Sequence, residues 1–218
     1  MSLPSRTLGA FGVRPDEVRR VGWMLAHSMF IGIFCAFYLT VANAMFLDRF
    51  DITVLPLGYL ASAIIGYSLI QVFSRVEKVL PFTRLAVLNL IFLVALAALF
   101  YTLLSLTGND WIVFAAWSSL GGMFNLLFLG YWKLAARLFD LRQSKRLFAL
   151  IGAGEEVSTI VGLFSIPVLL RYLSGERPLL LVAVGGLVGC LMVVGVVTVR
   201  FRDLLAGDPA VRSSEESR

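Results

Sequence analysis

RLFDLRQSKRLFALIGAGEEVSTIVG, residues 137–162, is the stretch that decides how this chain is read. Four basic residues, Arg137, Arg142, Lys145 and Arg146, surround one acid, Asp140, and the chain then enters an apolar, glycine-bearing segment. Long apolar runs lie on both sides of it. A cationic stretch between runs long enough to cross a bilayer marks a connection between two membrane-spanning helices. It therefore predicts a basic central loop on the cytoplasmic side, followed by a span over about 147–170 whose first turns carry Glu155 and Glu156.

Composition agrees. The 218 residues are 59% hydrophobic and only 15% charged, against about 25% charged in soluble domains. The net charge of +5 would suit a nucleic-acid binder only if the basic residues shared a soluble face. They lie instead between apolar runs, so nucleic acid is not an expected partner and the lipid bilayer is. Cys35 and Cys190 sit within apolar sequence without a CxxC or Cys/His spacing, which predicts buried packing residues and neither metal nor cofactor. The first apolar run begins near residue 21, after Arg14, Asp16, Glu17, Arg19 and Arg20, and lacks a small-residue cleavage pattern. It reads as a retained helix and not as a signal peptide.

Working outward, the chain is an all-α, polytopic membrane protein. Spans are expected over roughly 21–46, 54–73, 82–106, 111–136, 147–170 and 178–199. Residues 1–20 form an N-terminal segment in which Pro15-Asp16-Glu17 looks like the start of an interfacial helix, and 200–218 a polar tail expected to be disordered or a linker. Pro81 breaks the chain before the third span, and Thr107-Gly108-Asn109-Asp110 is a tight turn by residue type. Gly58, Ser62 and Gly66 recur every fourth residue, as do Gly154, Ser158 and Gly162, and Gly185 and Gly189 form a GxxxG. Such stripes let helix backbones approach closely.

Sixteen of the nineteen lysines and arginines fall on one set of alternate connections; only Arg49, Arg171 and Arg177 fall on the other. The positive-inside rule then places both termini in the cytoplasm, in a multi-pass protein of the inner, plasma, membrane.

Polar residues within the spans are the candidates for function. The single histidine, His27, shares a helical face with Tyr38, and Asn43 follows on the same span. On the fourth span Ser118, Asn125 and Trp132 fall at seven-residue steps, and Lys133, Glu155 and Glu156 are the charges nearest membrane depth. His27, Tyr38, Asn43, Ser118, Asn125 and Lys133 form the candidate solute-binding set, although helix packing, or snorkelling for Lys133, accounts for each of them too. Arg75, Glu77, Arg137, Asp140, Arg142, Lys145, Arg146, Glu155 and Glu156 form a candidate gate in which charges exchange partners between states. No HExxH or GxSxG occurs, and GAGEEV at 152–157 lacks the third glycine of a dinucleotide loop. An enzyme is not expected.

Tyr131-Trp132-Lys133, a short Arg/Asp-bearing stretch and then SKRLFALIGAG resemble the fourth-to-fifth helix region of the ATP/ADP translocase family and its bacterial relatives. SRVEKVLPFTRL, from Ser74, is similar to the loop between helices two and three of those proteins, with Ser74-Arg75 where Asp-Arg would be expected. The resemblance implies one half of a major-facilitator-type fold, an inverted pair of three-helix units. Known members have about twelve helices, so six imply a second six-helix half, a homodimer partner or separate subunit, or an adjoining soluble domain. The expected activity is alternating-access transport of a small anionic solute, nucleotides included. The alternative is a non-transporting anchor or sensor for a soluble regulatory partner.

Overall fold

The computed structural model describes residues 13–173 and 175–206. Every regular element among them is helical: α1 Val18–Arg49, a 3-10 turn Ile52–Val54, α2 Leu55–Glu77, α3 Phe82–Leu106, α4 Asp110–Leu138, α5 Leu141–Leu170, α6 Leu179–Arg200 and a short α7, Arg202–Ala206. The six long helices hold between 22 and 32 residues, and each is long and apolar enough to cross a membrane, which takes about 20 residues.

Local chemistry sets the helix ends. Before α4, Gly108 takes φ +58° and Asn109 accepts the Trp111 backbone N–H at 2.9 Å, so the expected tight turn doubles as a helix cap. Pro81 holds an extended backbone just ahead of α3. Asp51 accepts the backbone N–H of Thr53, and that hydrogen bond holds its carboxyl below the usual carboxylate range. Before α5, Asp140 accepts the Gln143 N–H at 2.7 Å while the Gln143 side chain accepts the Asp140 N–H at 3.2 Å, a reciprocal capping box.

That box corrects the sequence reading of the central stretch. The connection between α4 and α5 is only Phe139 and Asp140, and the basic residues Arg142, Lys145 and Arg146 belong to the first turns of α5. Glu155 and Glu156 lie at the middle of a 30-residue helix and not at its start. No separate interfacial helix forms at Pro15-Asp16-Glu17; these residues are a turn that runs directly into α1. The polar tail is helical over Arg202–Ala206, and the expectations for residues 1–12 and 207–218 fall outside the described residues.

α1, α4, α3 and α6 form a four-helix ring in which α1 packs on α4 and α6, and α3 packs on α4 and α6. α5 lies against the outer side of α1, and α2 against the outer side of α4. Exchanging the first helix triplet for the second leaves this set of pairings unchanged, although α1 packs more extensively on α5 and α6 than α4 does on α2 and α3. Successive helices alternate in direction, so the second triplet begins at the end opposite the first. The end of α1 meets the start of α4, where Arg49 pairs with Asp110 at 2.7 Å.

Small residues set the two outer contacts, as the stripes predict. On α2, Gly58 lies under the Trp117 ring and Gly66 faces the Gly122 backbone, while a Cβ on Gly121 would come within 2.8 Å of Ser62 Oγ. On α5, Ser158 donates to the Met29 carbonyl at 2.7 Å and Thr159 to that of Gly32 at 3.3 Å. The third stripe holds at Gly189 and not at Gly185. α6 meets α1 through Gly186 and Gly189, whereas nothing lies within 4 Å of a Cβ on Gly185.

Candidate functional site

The helix positions divide the predicted residues among three places. The first is the interior. His27, Tyr38 and Ser118 are each no more than 2% exposed. Tyr38 donates to the Ala116 carbonyl at 3.4 Å, and the His27 ring meets the Tyr131 ring edge-on at 5.3 Å. Neither nitrogen of His27, nor Ser118 Oγ, has a protein partner. A void beside His27, lined also by Asn89 and Tyr131, has room for about one water molecule. Neither this void nor the apolar one beside Tyr38 has room for a solute larger than water.

The second place is the cation-rich end, where the chain brings together much of the expected gate. Lys133 pairs with Glu77, joining α4 to α2, and its ammonium sits 5.1 Å from the centre of the Phe73 ring. Arg146 on α5 reaches both carboxylate oxygens of Glu17, at 2.6 and 2.7 Å. Glu17 is fully buried and also accepts the Arg14 backbone N–H at 2.9 Å. Arg137 lies over the Phe82 ring and reaches the Leu205 carbonyl. Arg75, Arg142 and Lys145 are exposed. Asp140 is engaged in capping its own helix, which removes a reason for it to exchange partners.

The third place is an open face between α2 and α5. α2 covers the side of α4 that carries Gly121 and Gly122, and α1 covers the side that carries Tyr131. Between those contacts α4 leaves Asn125 and Trp132 exposed. The Trp132 ring packs against Phe148 and lies beside Gly152, both on α5. The residue three positions further on shares that helix face, so Glu155 looks onto the same opening, partly exposed, with Glu156 exposed beside it, while Thr159 is turned to α1. Asn43 lies towards the other end, half-buried, where it accepts the Trp117 indole N–H at 2.9 Å.

Depth sharpens the position of the glutamates. Glu155 lies about 21 Å along α5 from its start, at 1.5 Å per residue, and its carbonyl sits against Gly32, which is itself midway along α1. A charged side chain at the centre of a spanning helix costs about 3 kcal/mol on insertion scales unless it finds a partner or water. The carboxylates are therefore the most costly groups on the open face. No group of three His, Cys, Asp or Glu side chains that could hold a metal occurs among the described residues.

Sequence reasoning missed Glu17, Arg20, Asn89 and Trp117. Arg20 donates to the Leu138 carbonyl at 2.9 Å, and buried Asn89 donates to the Leu126 carbonyl at 3.0 Å. Asn89 carried a usable signal, an amide within the third span. Glu17 carried none, because one acid among the charges of an N-terminal segment reads as solvated. Comparison with protein-family models, with curated proteins and with solved structures returns no match for the chain.

Proposed function

We propose that this chain is one half of a two-part membrane transporter, working by alternating access with a second six-helix half. The observation that carries the reading is the open face, which sets Asn125, Trp132, Glu155 and Glu156 at or near membrane depth on the outside of a bundle whose own interior is closed. Polar groups at that depth mark solute paths or subunit contacts, and a path beside a closed bundle needs a second wall. The exchangeable pairing of two triplets supports a half built from inverted three-helix units, the arrangement of major-facilitator halves. The concentration of lysine and arginine at one end supports cytoplasmic termini.

On this reading α4 and α5 line the path, with Asn125 and Trp132 as solute contacts. The Lys133–Glu77 and Arg146–Glu17 pairs form the cytoplasmic closure. Lys133 is neutralised by Glu77, so an anionic solute such as a nucleotide draws its cationic contacts chiefly from the second half. The test is exchange of labelled ATP, ADP and phosphate in proteoliposomes, with the chain alone and with the product of the adjoining reading frame co-expressed. Saturable exchange in the paired sample is expected; a flat result in both rejects the reading.

The closed interior around His27, Tyr38 and Ser118 favours a second reading, a membrane anchor for a soluble partner. Cysteine labelling separates the two. Asn125→Cys is expected to react with a water-soluble maleimide at least tenfold faster than Ser118→Cys, and Gln143→Cys to react only from the cytoplasmic side. Equal, slow reaction at residues 118 and 125 would favour the anchor.

A further inference from the structure

The open face carries a charge pattern that restricts what covers it. Glu155 and Glu156 lie near mid-membrane, and lipid tails offer no donor to a carboxylate. The described lysines and arginines lie near helix ends. The nearest in depth on this face, Lys133, is about 8 Å from the end of α4 and Arg146 about 8 Å from the start of α5, against about 21 Å for Glu155, at 1.5 Å per residue. Both are already paired with Glu77 and Glu17.

A second copy related by a two-fold axis along the membrane normal presents the same patch at the same depth. It would set carboxylates against carboxylates and bring no cation to them. Like charges across a desolvated contact suppress pairing, and opposite charges select it.

We propose that the face between α2 and α5 docks a second, non-identical helical membrane subunit that places a lysine or arginine side chain opposite Glu155 and Glu156. The inference rests on the two-half reading and identifies the second half as a chain of complementary charge. Asn125 and Trp132 flank the contact as polar and aromatic rim, and Arg is the better fit because its planar fork donates to a carboxylate through two parallel hydrogen bonds.

The proposal is tested by asking the chain to supply the missing cation to itself. Two differently tagged copies of the full chain are co-expressed and extracted in a mild detergent, and recovery of the second tag with the first is measured. Wild type with E155K/E156K is expected to pair at least tenfold above wild type with wild type. Wild type with E155Q/E156Q is expected to stay at the wild-type level, because neutral amides remove repulsion without adding a cation. With Asn125→Cys on both copies, a disulfide should form in the charge-reversed pair only.

Glu156→Lys alone, at an exposed position, repeats the measurement should the double variant fail to fold, with a severalfold gain expected and no gain counting against the proposal. Wild-type copies that pair as well as the charge-reversed ones, or glutamine variants that match the lysine variants, would overturn it. Self-pairing of wild type through residue 125 would leave transport by two halves standing while removing the cationic subunit. Flat exchange in the paired proteoliposomes would instead remove the transport reading, whatever the pairing result.

Discussion

Gly32→Leu is expected to abolish the monodisperse folded protein in detergent, the largest effect of any single substitution in the bundle. A Cβ at residue 32 would overlap Ser158 Oγ and the Glu155 carbonyl oxygen and lie 2.9 Å from the Thr159 backbone nitrogen. Two of those three atoms are backbone, so no rotamer change relieves the overlap, and α5 must move away from α1 as a body. That motion would also break the hydrogen bonds from Ser158 to Met29 and from Thr159 to Gly32. Oversized core residues cost about 1–3 kcal/mol where side chains can adjust; here the cost should exceed about 3 kcal/mol, because backbone has to adjust instead. Gly185→Leu is the control. Its Cβ would meet nothing within 4 Å, so stability should stay within about 0.5 kcal/mol of wild type. Thermal loss of the monodisperse peak in size-exclusion chromatography measures both. Equal midpoints for the two variants would mean that α1 and α5 do not cross at Gly32.

Arg146→Ala should give the second largest loss, about 3 kcal/mol, because it strands the Glu17 carboxylate in a place where water does not reach it. Removing one member of a buried pair costs about 3–5 kcal/mol, and the lower end applies because about a third of the Arg146 side chain is exposed. What remains for Glu17 is the Arg14 backbone N–H, too little for a full charge. Glu17→Leu combined with Arg146→Leu should recover most of the loss, since the cost comes from the uncompensated charge and not from an absent attraction. The same thermal measurement decides the matter. A double variant no more stable than Arg146→Ala would show that the pair fixes the approach of the N-terminal turn by geometry, beyond satisfying a charge.

Much of the architecture was legible along the chain. Six apolar runs of spanning length, bounded by Pro81, the Thr107–Asp110 turn and the basic connections, defined six helices, because the bilayer sets the length of a crossing element and excludes unpaired backbone. The Gly58-Ser62-Gly66 and Gly154-Ser158-Gly162 stripes predicted close contacts, since only small residues let two backbones approach. Cys35 and Cys190 are buried, as their surroundings implied. Sequence periodicity states which residues share a face but not what the face meets. Ser118 is buried and Asn125 exposed on nearly the same helical azimuth, because neighbouring helices cross α4 at different heights.

Tertiary structure alone decided two things. The start of α5 was not one of them, because the Asp140–Gln143 capping box is a local pattern three residues long that the sequence carried and its reading passed over. The basic run from Arg137 to Arg146 was divided into a part-buried ion pair at Arg146, a ring contact at Arg137 and exposed Arg142 and Lys145 between them. The candidate residues were sorted into a closed interior and an open face. Hydrophobicity and chain length act locally and can be read from one segment at a time. Which helix lies beside which depends on surfaces brought together from positions more than a hundred residues apart, as Glu17 and Arg146 are, and no local pattern encodes that meeting.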